Sequence, residues 1–200
     1  MKPVAIELRD KILSHQLDHV LKYNVDRQVQ FIMDRKDVNL YTKTPGEEHY
    51  HFLSVISEQV ENTRIYDIGT YKGLSAIALA HNPMNFVVSY DIGYRVRVDR
   101  PSNVEFRVGN FYDDEEGILK SPLIFMDIDP HDGIQEREFY EFLVENEYTG
   151  LLMLDDIHQF EGMKKFWNSI FLPKYDLTKL GHWSGTGLID FTYSKFLLWS

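Results

Sequence analysis

Aspartates recur at the ends of short apolar runs in this chain: Asp67, Asp91, Asp127 with Asp129, and Asp155 with Asp156. Aspartate is a common turn former and helix cap, which explains any one of them. As a set they suggest more, because carboxylates crowded onto one edge repel each other unless cations sit between them. The first is followed by the loop Asp67-Ile68-Gly69-Thr70-Tyr71-Lys72-Gly73-Leu74-Ser75. There Gly69 permits a sharp turn and close approach of a ligand to the backbone, and Gly73 lets a helix start tight against the strand with its N–H groups unpaired. The spacing is Gly-x-x-x-Gly, not the Gly-x-Gly-x-x-Gly that cradles a pyrophosphate. Asp91 follows Asp67 by 24 residues, where an acid closing a second strand commonly holds a ribose diol. Five of the eight histidines (His49, His51, His131, His158 and His182) belong to segments expected near the same edge.

Whether these groups meet depends on the elements that carry them. Short apolar runs predict strands over 64–68, 86–91, 104–108, 123–127, 151–155, about 175–180 and 188–193, with helices over 73–81, 135–147 and 160–171 and a short turn near 113–119. Alternating strands and helices predict an α/β fold: a Rossmann-like, doubly wound, mostly parallel seven-stranded sheet. In such a sheet ligands bind outside the carboxyl ends of the strands, where the aspartates fall. Only Gly181-His182-Trp183-Ser184-Gly185-Thr186-Gly187 separates the last two runs, too short for a crossover, so the C-terminal strand is expected antiparallel. That turn overhangs the ligand edge and offers His182 and Trp183 to an acceptor; a glycine-rich hairpin with Trp183 packed on a helix is equally consistent.

Ahead of the strands the chain reads helical. Val4, Leu8, Ile12, Leu13, Leu17, Val20 and Leu21 recur at helical spacing, and a weaker helix is expected over 25–33 with Asn24 as its cap. Thr44-Pro45-Gly46-Glu47 has the capping-box pattern and predicts a helix reaching residue 59.

The 200-residue chain is 44% apolar and 14% aromatic, enough for one sizeable core. Lys+Arg 21 against Asp+Glu 31 gives a net charge of -10, which argues against a nucleic-acid partner. The absence of cysteine excludes disulfides, thiolate zinc sites and a cysteine nucleophile. No apolar run approaches the ~20 residues that span a bilayer, and the charged first 25 residues do not read as a secretory signal, so a cytoplasmic protein without a membrane partner is expected. Arg95, Arg97 and Arg100 read as a solvated loop before they read as an anion site.

Tyr66-Asp67-Ile68-Gly69-Thr70-Tyr71-Lys72-Gly73 resembles the first motif of the class I S-adenosylmethionine-dependent methyltransferases, and Asp91 falls at that family's ribose-binding acid. Val108-Gly109-Asn110-Phe111-Tyr112-Asp113 resembles the segment that flanks the adenine. The resemblance covers residues 42–193 and is closest to the metal-dependent small-molecule O-methyltransferases of the catechol, caffeoyl-CoA and macrolide-sugar kinds. Thr42-Lys43-Thr44-Pro45-Gly46-Glu47 matches the Thr-x-x-x-Gly-Glu stretch that closes over the cofactor's methionine end in those enzymes.

The resemblance implies methyl transfer from S-adenosyl-L-methionine to a hydroxyl of a small-molecule acceptor, assisted by a divalent cation, with Mg²⁺ expected. It implies cofactor contacts at Thr42, Glu47, Asp67, Gly69, Thr70, Gly73, Ser75, Asp91, Asn110, Phe111, Tyr112 and Asp127. The metal would be held by Asp127, Asp155 and Asp156, with Asp129 as a substitute for Asp127. Residues 1–41 would form a helical extension, as a lid or a dimer face, and residues 42–200 the methyltransferase domain; a homodimer is among the assemblies expected. One position departs from the pattern: Pro130 stands where the catechol and caffeoyl-CoA relatives place a lysine base. Proline cannot accept a proton, which leaves His131 and His158 as candidate bases. Two other readings stay open: an S-adenosylmethionine-binding protein without metal-dependent turnover, and an NAD-type oxidoreductase on a similar sheet.

Overall fold

In the computed structural model, which describes residues 4–193, five parallel strands carry the aspartates to one edge. They are β1 (Arg64–Ile68), β2 (Phe86–Asp91), β3 (Val104–Val108), β4 (Leu123–Met126) and β5 (Leu151–Asp155). With β6 (Lys174–Asp176) and β7 (Thr186–Asp190) they form one seven-stranded sheet in the order β3-β2-β1-β4-β5-β7-β6. Strands β1 to β5 pair parallel, while β7 runs antiparallel to both β5 and β6. Asp67 is in register with Ser89 on β2 and Phe125 on β4, and Asp155 with Thr186 on β7.

Side chains alternate between the two faces of the sheet, and each face has its own apolar core. Ile65, Val87, Leu123, Phe125, Leu151 and Met153 pack against the N-terminal helices α1 (Val4–Ser14), α2 (Leu17–Leu21), α3 (Asp26–Val29) and α4 (Arg35–Tyr41) and against α5 (Tyr50–Ser57) and α6 (Leu74–Leu79). Tyr66, Val88, Ile124, Leu152 and Ile189 pack against α7 (Glu115–Lys120), α8 (Ile134–Glu145) and α9 (Glu161–Ser169). The N-terminal helices thus share a core with the sheet. Arg9 on α1 reaches Asp190 at the end of β7, with Nη1 2.8 Å from Oδ2, and both side chains are largely shielded from water. No helix among the described residues is long and apolar enough to cross a membrane.

Six expected elements are corrected. The periodic N-terminal stretch breaks at His15-Gln16 into α1 and α2, and the helix expected over 25–33 shrinks to α3, with α4 following unforeseen. The Thr44–Glu47 pairing forms, with Thr44 donating to Glu47, but it caps a turn and not a helix: Gly46 sits at φ 88°, outside the helical region, so α5 starts only at Tyr50. β6 covers only Lys174–Asp176, and β7 begins at Thr186, with residues 191–193 in a short 3₁₀ turn. β4 closes at Met126, which leaves Asp127 in the following loop. Residues 1–3 and 194–200, the outer ends of the two expected domains, lie outside the described residues.

Candidate cofactor and metal site

The loop after β1 is fixed by backbone packing. Gly69 has φ 104°, and a Cβ there would stand 1.7 Å from the carbonyl oxygen of Asp127, so only glycine lets the β1 and β4 loops touch. Gly73, at φ 91°, starts α6 under Val98 and Phe106. Thr70 and Ser75 are both buried, and the Thr70 hydroxyl lies 2.5 Å from that of Ser89. Ser89 in turn donates to Asp67 Oδ2 at 2.5 Å, while Asp67 Oδ1 is buried with no hydrogen-bond partner. Burial pushes the Asp67 carboxyl up to about 6, against the opposing hydrogen bonds of Ser89 and Ser75. One strand over, the Asp91 carboxylate accepts the amides of Tyr71 at 2.7 Å and Gly93 at 3.1 Å, and Ile92 beside it projects into solvent.

The other expected cofactor residues divide. Asn110 is exposed and its side chain accepts the Tyr112 amide at 3.1 Å; Phe111 and Tyr112 are half-buried and edge onto Phe139. Thr42 and Glu47 are exposed and engaged locally, Thr42 with the carbonyl of Val38 and Glu47 with Thr44. The residues of that segment that reach inward are the next two, Glu48 and His49, both buried.

At the ends of β4 and β5, acids and imidazoles interleave. Asp127, His131 and Asp156 form one group whose donor atoms lie within 4.8 Å of one another, and His49, Asp155 and His182 form a second. The three expected metal ligands therefore reach one edge but split between two groups. In the first group His131 Nδ1 lies 3.1 Å from Asp156 Oδ2 and 3.9 Å from Asp127 Oδ1, with Nε2 3.3 Å from Asp129. Asp129 itself is exposed and faces the far side of that ring. Burial, reinforced by the charges of Asp155 and Asp156, raises the Asp127 carboxyl well above the usual range. In the second group the Nδ1 atoms of His182 and His49 lie 2.9 and 3.3 Å from Asp155 Oδ2. Burial opposes the charged form of His182, but its hydrogen bonds to Asp155 and Asp156 win and push it up to about 10. Although burial works the other way, the charge of His49 and the hydrogen bond of His182 hold Asp155 below the usual carboxylate range. Ser184 bridges the groups, bonding to Asp156 and lying 2.7 Å from His182 Nδ1.

His158 stands apart, with Nε2 2.7 Å from Asp176 Oδ2 at the end of β6. Trp183 is exposed on the hairpin, and His51, among the expected edge histidines, is not part of either group. Sequence reasoning could name His49 and His182 but could not fix which way α5 or the hairpin faced. Glu48, Ser184 and Thr186 gave no signal beyond adjacency to those histidines.

No protein-family model matches the chain, and no curated protein is significantly similar to it in sequence. Solved structures do match. The O-methyltransferase TomG from Streptomyces achromogenes, involved in tomaymycin synthesis and determined in complex with SAM, superposes with a TM-score of 0.51 at 16% identity, covering 92% of this chain and 95% of that one. Cofactor-bound Rv0187 from MTB superposes with a TM-score of 0.51 at 14% identity, covering 92% and 89%. The chain has a Rossmann-like methyltransferase fold. In this methyltransferase fold the edge that holds Asp67 and Asp91 and the edge that holds the acid–imidazole groups are neighbouring stretches of one rim, because β2, β1, β4 and β5 lie side by side and run the same way. Arg95 and Arg97 line an open cavity of about 560 Å³ with Tyr71, Lys72 and Tyr94, and Arg100 lines a second with Phe106.

Proposed function

We propose that this protein transfers a methyl group from S-adenosyl-L-methionine to a hydroxyl of a small-molecule acceptor, with assistance from a divalent cation. The observation that carries the proposal is the continuity of the rim: a glycine loop flanked by Asp67 and Asp91 runs directly into a cluster of acids and imidazoles. Bound there, the cofactor supplies an electrophilic methyl on a sulfonium. Asp91 keeps free lone pairs on both oxygens for a ribose diol while Tyr71 and Gly93 hold its carboxylate still. Asp67 has an orphaned buried oxygen, a polar group that lacks its partner in the protein alone and suits the cofactor's cationic end.

The residues just after β4 and β5 fit a divalent cation. Asp127 and Asp156 supply two carboxylates and His131 an imidazole, a hard-to-borderline donor set. A cation there adds positive charge that favours the ionised form of an acceptor hydroxyl. With Pro130 in the lysine position, proton removal falls to His131, where it is not engaged as a ligand, or to His158, whose ring is oriented by Asp176. Trp183 offers an exposed aromatic face to the acceptor from the overhanging hairpin.

Calorimetry with S-adenosylhomocysteine, followed by transfer of labelled methyl to a panel of sugars, phenols and polyketides with and without Mg²⁺ or Mn²⁺, tests the proposal. We expect nucleotide binding in the micromolar range typical of a catalytic cofactor site, and cation-dependent labelling of a hydroxylated acceptor. Binding of NAD in preference to S-adenosylhomocysteine would overturn the reading. Tight nucleotide binding with no labelling under any cation would reduce it to a binding protein.

A further inference from the structure

The His49–Asp155–His182 group carries an inference of its own. We propose that it is a second cation site, separate from Asp127–His131–Asp156, and that it takes a borderline transition ion such as Zn²⁺, Co²⁺ or Fe²⁺ in preference to Mg²⁺. Two imidazoles and one carboxylate, contributed by the segment before α5, the end of β5 and the β6–β7 hairpin, bring three donors within 4.8 Å. Both imidazole Nδ1 atoms face the same carboxylate oxygen, at 2.9 and 3.3 Å. Donors bound at ~2.1 Å to one ion stand about 3.0 Å apart at octahedral angles and about 3.4 Å apart at tetrahedral ones.

A second observation points to a ligand. His49 is 2% exposed, and neither of its ring nitrogens is hydrogen-bonded: Nδ1 stands 3.3 Å from Asp155 Oδ2, and Nε2 has no partner among the described residues. A buried imidazole with neither nitrogen hydrogen-bonded is costly, and while protonation gains the attraction of the Asp155 carboxylate, it leaves Nε2 without an acceptor. An ion bound between the rings satisfies His49 and leaves both imidazoles neutral.

The surroundings fit that assignment. The far nitrogen of His182, Nε2, faces the Glu48 carboxylate with Oε2 3.7 Å away, an ion-pair distance that places a second negative charge beside the ring. Thr186 accepts the His182 amide at 2.8 Å and so anchors the hairpin from the other side. Mg²⁺ prefers oxygen ligands and gives up water reluctantly, so a buried site with two imidazoles discriminates against it.

The test uses the metal-stripped full chain titrated with Co²⁺, read by visible absorption and by equilibrium dialysis, with and without a hundredfold excess of Mg²⁺. We expect a Co²⁺ ion with nitrogen-ligand spectra that excess Mg²⁺ does not displace. His182→Gln on the hairpin should remove that signal, and His49→Ala should do the same. Asp127→Asn should leave it intact. Because His49→Ala empties a buried position, circular dichroism accompanies it, and His182→Gln decides the matter if His49→Ala is unfolded. Absence of Co²⁺ binding, displacement by Mg²⁺, retention of the signal in His182→Gln, or its loss in Asp127→Asn would each overturn a separate transition-ion site. None of these outcomes depends on methyl transfer.

Discussion

Replacing Asp91 by alanine probes the nucleotide edge most directly. In the protein alone this carboxylate accepts two backbone amides, from Tyr71 at 2.7 Å and Gly93 at 3.1 Å, and thereby ties the β1 loop to the end of β2. A ribose hydroxyl bound to the same group makes a charge-assisted hydrogen bond, worth about 1.5–3 kcal/mol when one partner is removed. At 1.4 kcal/mol per tenfold, the dissociation constant for S-adenosylhomocysteine should rise about 10- to 150-fold. Asp91→Asn keeps one acceptor oxygen without the charge and should fall between alanine and wild type. Calorimetry gives the affinities, and thermal melts of the nucleotide-free variants report how much of the loss comes from a loosened loop. A dissociation constant for Asp91→Ala within twofold of wild type would show that the ribose is held elsewhere, and the proposed orientation of the nucleotide would go with it.

Three further outcomes are expected. Arg9→Met should destabilise the protein by about 3–5 kcal/mol in urea unfolding, because it leaves the fully buried Asp190 carboxylate with the Thr192 amide and hydroxyl but no counter-charge; a change under about 1 kcal/mol would mean that α1 does not pin the end of β7. Gly69→Ala should cost more than about 3 kcal/mol, since its Cβ meets backbone and φ is 104°, and near-wild-type melting would contradict the close approach of the β1 and β4 loops. Asp67, whose ordinary value of 3.8 rises to about 6, holds its proton more tightly when folded. Its stabilising contribution is therefore complete below about pH 4 and is lost as pH climbs towards 6, by about 3 kcal/mol for a shift of about two units. Asp67→Asn should flatten that decline in urea midpoints taken between pH 4 and 7, and an unchanged slope would sink the assignment.

The sheet was legible because most of its strands announce themselves twice, by apolar runs and by the acids at or just past their ends. Strands at 64–68, 86–91, 104–108 and 151–155 match the observed β1, β2, β3 and β5. The helical N-terminal third was less so. Thr44-Pro45-Gly46-Glu47 has the chemistry of a helix start, yet whether Gly46 enters the helical or the left-handed region depends on a contact no local pattern encodes, its amide bonding to the carbonyl of Gly181 at 2.7 Å. The same distinction holds in the site. Asp67, Asp91, Asp127 and Asp155 share an edge because parallel pairing forces them to, so topology alone placed them. That His49 turns inward while His51 joins neither group follows from how α5 packs on β4, where His49 meets Phe125. Side-chain facing of that kind is tertiary information.

The rim treats its buried acids in two ways, and the difference bears on their work. Asp155 is compensated by imidazoles on both sides, which keeps it ionised and makes it a permanent negative centre. Asp67 is given only hydroxyls, from Ser89 and Ser75, so its charge is expensive in the protein alone. A group that costs stability when ionised is relieved by any ligand that brings a positive charge beside it, and by linkage that relief appears as affinity for the cation. S-adenosylmethionine differs from S-adenosylhomocysteine by a sulfonium charge and its methyl, while both carry the amino acid ammonium. The preference between them should therefore distinguish which positive group Asp67 serves: a wild-type preference for the sulfonium form that disappears in Asp67→Asn assigns it to the sulfonium, and equal loss of both ligands assigns it to the ammonium.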